Sequence, residues 1–113
     1  MTDCIFCKIA AGQIPATLVY EDPDVVAFDD IQPTAPTHVL VIPRRHVATL
    51  DDADGPDAVL LGRMLLAASR VAKARNVSSG YRVVLNVNRG AGQAVFHVHL
   101  HVIGGRPFSW PPG

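Results

Sequence analysis

The order of apolar and polar residues along this chain predicts a set of short strands separated by turns. Stretches rich in β-branched and aromatic residues alternate with clusters of Gly, Pro, Asp and Asn. The predicted strands are Leu18–Glu21, Val25–Phe28, His38–Ile42, Tyr81–Asn86 and Val95–Ile103. Two prolines predict a loop over Ile31–Thr37, and Pro43 is expected to end the strand that follows this loop.

Two other segments have the apolar spacing of helices. A short helix is predicted over Cys4–Ala10, and a long one begins near Pro56 and ends near Asn76. The interior Gly62 predicts a close approach between the long helix and a sheet. The buried face of this helix is predicted to comprise Leu61, Met64, Leu65, Ala68, Val71 and Ala72. The pattern therefore predicts an α+β fold, with about five antiparallel strands, one long helix packed on them and a short N-terminal helix.

The composition narrows the classes of function. The chain has 113 residues, of which 49% are hydrophobic, and we expect a single domain over residues 1–113. Ten basic residues balance ten acidic ones without a charge run, so neither a nucleic acid nor a membrane is an expected partner. Residues 1–10 lack the features of a signal peptide, and no apolar run approaches a membrane span. The expected location is the cytoplasm.

Three histidines occupy alternate positions in the last predicted strand. Successive strand side chains point to opposite faces, so the rings of His97, His99 and His101 should share one face. Three interpretations compete for this row. The histidines are exposed and incidental, or they hold a metal ion, or one of them is a nucleophile that its neighbours orient.

The loop just before the histidine row favours the nucleophile. The backbone N–H groups around Gly90, Gly92 and Gln93 could cradle an anion, and Asn86 at the end of the preceding strand could add a side-chain donor. An anion-binding loop beside a histidine row indicates phosphoryl or nucleotidyl transfer.

The chain has two cysteines, Cys4 and Cys7, and they form one C-x-x-C motif. In a reducing compartment this motif favours metal ligation or redox chemistry over a structural disulfide. The redox interpretation requires a thioredoxin-like βαβ context, and the pattern of this chain does not predict one. From these two residues alone the motif remains ambiguous between a zinc half-site and a redox pair.

The histidine row and its flanks resemble a known signature. Residues 92–102, Gly-Gln-Ala-Val-Phe-His-Val-His-Leu-His-Val, are similar to the His-φ-His-φ-His-φ-φ motif of the histidine-triad (HIT) superfamily, in which φ is apolar. Further segments resemble the Hint branch, which comprises purine nucleoside phosphoramidate hydrolases; they are Cys4–Ile9, Ile14–Ala16, Ala27–Ile31, Ala35–Pro43 and Trp110–Gly113. The Trp-Pro-Pro tail favours this branch over the dinucleoside polyphosphate hydrolases.

The resemblance implies a reaction and assigns residues to it. It implies hydrolysis of the P–N bond of purine nucleoside 5'-phosphoramidates to a nucleoside monophosphate and an amine, through a nucleotidyl-histidine intermediate. It makes His99 the nucleophile, His101 a phosphate donor and His38 their supporting partner. The implied phosphate ligands are Asn86 and the backbone of Gly92, Gln93 and Ala94, and Asp30 is implied to bind the ribose. The implied slot for the base is lined by Phe6, Ile9, Ile14, Phe28, Ile31 and Leu40.

The same resemblance implies a metal site and a partner. Some bacterial members carry zinc on two cysteines and two histidines, and the matching residues here are Cys4, Cys7, His46 and His97. Such a closed Cys₂His₂ set would make the zinc structural. The resemblance also implies a homodimer that binds purine nucleotides such as AMP or GMP.

This chain departs from the Hint pattern at one position, and two other functions stay open. Members of the branch often have a serine where this chain has Ala94, so a hydroxyl near the phosphate is missing.

One alternative function is that of a HIT hydrolase or transferase for another nucleotide, such as a dinucleoside polyphosphate. The other is a nucleotide-binding interaction module.

Overall fold

The computed structural model describes residues 3–113 as a five-stranded antiparallel sheet with helices on both faces. The strands are β1 (Leu18–Glu21), β2 (Val25–Asp29), β3 (Thr37–Pro43), β4 (Tyr81–Val84) and β5 (Leu100–Gly104), and their order in the sheet is β1-β2-β3-β5-β4. The helices are α1 (Ile5–Ala10) and α2 (Ala58–Ala74), with 3-10 turns at Leu50–Asp52, Gly55–Asp57 and Arg89–Ala91. The predicted α+β fold is confirmed. None of the helices in the described part of the chain has the length and apolarity needed to span a membrane.

The sheet buries both of its faces. On one face, alternate valines of β2, β3 and β5 pack with the apolar side of α2. On the other face, Phe6 of α1 packs with Val26, Phe28, Leu40 and Ile42. All seven residues of β3 are buried, because this strand lies in the middle of the sheet between α1 and α2. The central strand is therefore a rigid base for the side chain of His38.

The long helix is rotated relative to the predicted face. Leu65 was expected to be buried but is 55% exposed, whereas Ala67 is buried. The space around Gly62 is open, so the predicted close approach at this glycine is wrong. The helix approaches the sheet through the alanines of a buried stripe, which comprises Met64, Ala67, Ala68, Val71 and Ala72. The small alanine side chains in this stripe, and not Gly62, allow α2 to lie close to the sheet.

The histidine segment is mostly outside the strand that was predicted for it. The predicted strand began at Val95, but β5 begins only at Leu100. The reason lies in its neighbours, since pairing with β3 ends at Leu100 and pairing with β4 ends at His101. The segment before β5 keeps one backbone link, from the N–H of Val98 to the carbonyl of Val47 at 2.7 Å. His97 and His99 therefore depend on other contacts for their positions.

The predicted alternation of faces nevertheless persists through this segment. Val98 packs in the core that faces α2. The rings of His97 and His99 lie on the opposite side, where their centroids are 6.0 and 5.2 Å from that of Phe6. The ring of His101 is 5.1 Å from that of His99. The structure thus brings the three rings to one face of the sheet.

Candidate active site and metal centre

His99 presents a free nitrogen whose state is set by the backbone. Its Nδ1 lies 2.8 Å from the carbonyl oxygen of His97. Because a carbonyl oxygen can only accept, Nδ1 carries the hydrogen, and Nε2 of the neutral ring keeps its lone pair. Within residues 3–113, no protein group pairs with Nε2. The ring is buried edge-on against Phe6, so it offers a nucleophilic nitrogen in a fixed orientation.

His38 and His101 form a relay that ends in a donor. The backbone N–H of Thr34 donates to Nδ1 of His38 at 3.1 Å, so the hydrogen of the neutral His38 ring is on Nε2. This Nε2–H donates to Nδ1 of His101 at 2.8 Å. The hydrogen of His101 is therefore on Nε2, where it can donate to a ligand. The site places a lone pair on His99 beside a donor on His101, which suits attack on a phosphorus atom with stabilisation of its oxygens.

Asp30 joins this relay from the end of β2. Its Oδ2 is 3.4 Å from Nε2 of His38, and its Oδ1 accepts a hydrogen bond from the backbone N–H of Gln32. Asp30, His38 and His101 are close enough together to be considered as metal ligands. The 2.8 Å hydrogen bond between the two rings already occupies the facing nitrogens, so a relay is the better description.

Burial keeps His101 neutral. Desolvation, followed by the nearby His99 and His38, lowers the pKa of His101 to about 4. At neutral pH the ring is therefore an uncharged donor.

This pKa predicts a loss of stability in mild acid. Between about pH 6.5 and about pH 4, the unfolded chain binds a proton at this ring that the folded protein does not bind. The free energy of unfolding should therefore be unaffected by this ring above about pH 6.5 and should fall as the pH drops towards 4. With allowance for partial exposure, we expect about 2 kcal/mol from His101. Urea denaturation across this range measures the fall, and it should be smaller in His101→Gln. An equal fall in the variant would contradict the assignment.

The glycine loop is braced by the side chain of Gln93. Its Oε1 accepts from the N–H of Asn88 at 2.8 Å, and its Nε2 donates to the carbonyls of Ala48 and Val95. The N–H groups of Gly92 and Gln93 donate to carbonyls inside the loop. Gly92 has φ +92°, a conformation that favours glycine. Of the three backbone groups predicted to hold phosphate, only the N–H of Ala94 has no partner in the described chain.

The residues predicted to bind the base fall into two environments. Phe6, Phe28 and Leu40 are buried in the core on the α1 side, and Ile9 packs against it. Ile14 is half-buried, whereas Ile31 is 95% exposed. The half-buried Asn86 follows β4, on the approach to the glycine loop.

Four predicted metal ligands converge from three parts of the chain. Cys4 caps the N-terminus of α1 and Cys7 lies in its first turn, while His46 and His97 come from the loops after β3 and before β5. Nδ1 of His97 is 3.3 Å from Sγ of Cys4 and 3.4 Å from Sγ of Cys7, and Nδ1 of His46 is 3.3 Å from Sγ of Cys7. In a tetrahedral zinc site, S and N ligands would be roughly 3.6 Å apart. The four ligand atoms therefore fit zinc with little adjustment.

The surroundings of His97 also suit a metal ligand. Its ring is fully buried, and its Nε2–H donates to the carbonyl of Pro43 at 2.7 Å, which leaves Nδ1 to face the cysteines. Burial lowers the pKa of His97 and raises the pKa of the Cys7 thiol. A metal would therefore meet a neutral imidazole but would have to displace the thiol proton. With all four positions filled by protein, zinc here would stabilise structure and leave no open position for substrate.

The sequence analysis missed several residues whose backbone groups set the tautomers of the site histidines. The N–H of Thr34 sets the tautomer of His38, and the carbonyls of Pro43 and His97 set those of two other rings. No side-chain pattern reports such groups. Arg89 was also missed; its guanidinium lies 5.3 Å from the ring centroid of Phe96.

Comparison with known proteins identifies the family that this fold and site define. Residues 11–108 match the HIT domain family, and the chain belongs to that family. It is similar to the crystal structure of a HIT family hydrolase from Legionella pneumophila, with 53% identity and a TM-score of 0.95 over 98% of this chain and 100% of that one.

Two more distant structures bear on the ligands. A zinc-bound histidine triad family protein from Mycobacterium smegmatis is 35% identical, with a TM-score of 0.82 over 93% of this chain and 76% of that one. A histidine triad nucleotide-binding protein from Candida albicans is 34% identical, with a TM-score of 0.82 over 96% of this chain and 83% of that one.

Proposed function

We propose that this protein hydrolyses purine nucleoside 5'-phosphoramidates to a nucleoside monophosphate and an amine. The observation that carries the proposal is the fixed tautomer of His99, whose Nε2 lone pair lies beside the Nε2–H of His101. A relative described as a hydrolase and another described as nucleotide-binding support the reaction class.

The reaction follows from these two nitrogens. Nε2 of His99 attacks the α-phosphorus, and the P–N bond to the amine breaks as the amine takes a proton from water. His101 donates its Nε2–H to a phosphate oxygen as charge develops there. The His97 carbonyl holds Nδ1–H of the nucleotidyl-imidazole and stabilises its positive charge. Water then attacks the phosphorus and gives its proton to the hydroxide left by the first step, the bond to His99 breaks, and the nucleoside monophosphate leaves.

The nucleotide is held by groups around this centre. We assign Asp30 to the ribose hydroxyls, and Asn86 and the free N–H of Ala94 to the phosphate. The side chain of Ile31 is exposed in the free protein. The bound base would cover it, and this hydrophobic contact would favour binding. AMP and GMP are the products expected to bind.

One observation favours a second substrate class, the dinucleoside polyphosphates. Arg89 has no carboxylate within ion-pair distance in residues 3–113, and it belongs to the glycine loop that precedes the Ala94 N–H assigned to the phosphate. An unpaired cation there would suit a leaving group that carries phosphates. A comparison of kcat/KM for an adenosine phosphoramidate and diadenosine polyphosphates discriminates between the two classes. Higher kcat/KM for the phosphoramidate supports the first proposal, and the reverse order supports the second.

Ala94 predicts that this protein handles poor leaving groups less well than it could. Ala94→Ser would add a hydroxyl that can donate to the phosphate or to the leaving nitrogen. We expect turnover to rise by up to about tenfold on phosphoramidates of basic amines, because one hydrogen bond contributes roughly 0.5–1.5 kcal/mol. Steady-state assays with a series of amines measure the effect, and equal or lower activity across the series would contradict it.

We also propose that the protein is a homodimer that pairs through β4 and α2. The strand β4 is an edge of the sheet, and Val83 on it is exposed. Three apolar side chains on α2, Val59, Leu65 and Leu66, are more than half exposed. Exposed apolar side chains on an edge strand and on one helix are typical of an interface between protein chains.

Light scattering tests the dimer with a matched pair of variants. Leu66→Glu should give a monomer, because it places a charge in the proposed interface. Leu18→Glu is the control, since Leu18 is an exposed leucine on β1, the opposite edge of the sheet. A Leu66→Glu protein with the mass of the wild type and of the control would contradict the proposed surface.

The cysteines support two further proposals. We propose zinc as the resident metal of Cys4, Cys7, His46 and His97, on the fit of their ligand atoms and the zinc-bound relative. We also propose that the protein is cytoplasmic, because Cys4 and Cys7 are not joined in a disulfide and a reducing compartment keeps such cysteines available to a metal.

A further inference from the structure

The nucleophile lies in a segment that the sheet does not hold. His97 and His99 precede β5, which begins at Leu100, and pairing with both neighbouring strands starts only there or later. The only backbone bond from this segment to another part of the fold joins Val98 to Val47, within the described residues. The side chains of the segment must therefore provide most of its attachment.

On the face opposite to Val98, which packs in the core, the side chain of His97 supplies this attachment. Nδ1 faces the thiols of Cys4 and Cys7 at 3.3 and 3.4 Å, and Nε2–H donates to Pro43 at 2.7 Å. The ring is also 5.1 Å from that of His46, the fourth ligand, whose neighbour Val47 accepts the one backbone bond. The ring is fully buried. The metal centre thus anchors the segment through its most deeply buried polar ring.

The ring of His99 also contacts the ring of His101 at 5.1 Å, but two of its other contacts lead back to the metal centre. Its Nδ1–H donates to the carbonyl of His97, which is itself a metal ligand. It also makes a T-shaped contact with the ring of Phe6, which lies between Cys4 and Cys7 in the sequence of α1 and its N-cap. The interplanar angle is 89° and the centroids are 5.2 Å apart. The orientation and the tautomer of His99 therefore both depend on residues joined to the four ligands.

We propose that the centre formed by Cys4, Cys7, His46 and His97 positions the nucleophile, and that its ligands are positioning residues for His99. With the metal bound, the His97 carbonyl stays in place and holds His99 in its Nδ1–H tautomer with Nε2 free. Without the metal, the segment before β5 loosens and the ring samples the Nε2–H tautomer, in which Nε2 has no lone pair for attack. The expected effect of this coupling on catalysis rests on the proposed function, whereas the expected effect on the tautomer of His99 is independent of it.

NMR of the ring nitrogens in isotopically labelled histidine tests the proposal on the protein without substrate. His46→Asn removes a ligand that lies outside both α1 and the histidine segment and that contacts the segment through the ring of His97. EDTA treatment of the wild type removes the metal with all four side chains intact, so it isolates the effect of the metal. We expect a single Nδ1–H tautomer of His99 in the zinc-loaded wild type and a mixture of tautomers in His46→Asn. Treatment of the wild type with EDTA should give the same mixture, and added zinc should reverse it.

His46→Cys is the rescue variant, because three cysteines and one histidine are also a zinc set. It should hold zinc and keep the single tautomer, and it guards against variants that fail to fold. The proposal is overturned if metal-free protein, folded by circular dichroism, keeps the single tautomer. A mixture of tautomers in zinc-loaded His46→Cys would also overturn it.

Kinetic measurements distinguish an effect on the position of His99 from a general loss of the site's structure. In metal-free protein we expect kcat to fall roughly tenfold or more, which is the size of effect seen when a residue that orients a functional side chain is removed. The Kd for AMP should change by less than about threefold. A parallel loss of AMP binding and kcat would indicate a purely structural centre and would contradict the proposal. If the wild type does not hydrolyse phosphoramidates at all, the proposed function fails, and the tautomer measurement still decides the coupling.

Discussion

The His99→Gly protein is expected to lose at least about a thousandfold in kcat on an adenosine phosphoramidate while it still binds AMP. The variant removes the attacking nitrogen, and no other histidine nitrogen in residues 3–113 offers a lone pair held in the same way. Nδ1 of His101 accepts from His38, and Nδ1 of His97 faces the cysteines. The binding groups proposed for the ribose and the phosphate remain, so the loss should fall on kcat and not on affinity.

A fluorogenic adenosine phosphoramidate measures the turnover, and calorimetric titration with AMP measures the binding. Free imidazole provides a positive control, because the glycine leaves space that an external imidazole could occupy as the nucleophile. Partial recovery with imidazole in His99→Gly, and none in His101→Gln, would distinguish the nucleophile from the donor. Turnover near that of the wild type in His99→Gly would refute the assignment.

The second large effect is expected at the metal centre. Wild-type protein purified without chelator should contain one equivalent of zinc per chain, and Cys4→Ser should contain none. The free energy of unfolding should fall by about 3 kcal/mol or more, because zinc at this site would bind the folded protein and hold together three parts of the chain. Cys4 also caps α1, where its Sγ accepts a hydrogen bond from the N–H of Cys7. A serine hydroxyl can replace this cap, so the loss reports the metal.

Elemental analysis and urea denaturation measure the two quantities. Lys8→Ser is the matched control on the same helix, since Lys8 is next to Cys7 and is not one of the four candidate ligands. This control should keep both the zinc and most of the stability. Stoichiometric zinc in Cys4→Ser would place the metal elsewhere, and an unchanged free energy of unfolding would show that the centre does not support the fold.

The positions of strands and helices could be predicted where nearby residues in the sequence determine their ends. Helix α1 and strands β1, β2 and β3 agree with the predictions to within one residue at most ends, because prolines, glycines and acidic turns bound them. The start of β5 could not be predicted in this way. It is set by where pairing with β3 and β4 ends, which is a property of the assembled sheet.

The candidate site shows the same division. Side-chain spacing and the family resemblance were enough to select four candidate metal ligands and the other histidines, which the structure brings into two adjacent clusters. The rotation of α2 was missed, since leucines such as Leu65 fit either face of an apolar helix. The tautomers could not be predicted, because the N–H of Thr34 and the carbonyl of His97 set them and every residue type carries those groups.

Mass spectrometry of a trapped intermediate tests the central claim most directly. The wild-type protein is mixed with an adenosine phosphoramidate or AMP, quenched rapidly and digested, and the peptide that contains the histidine row is fragmented. We expect the added mass of an adenylyl group on His99, with no such mass in His99→Gly. An adduct on His97 or His101, or substrate turnover without any adduct on the protein, would contradict nucleophilic attack by His99.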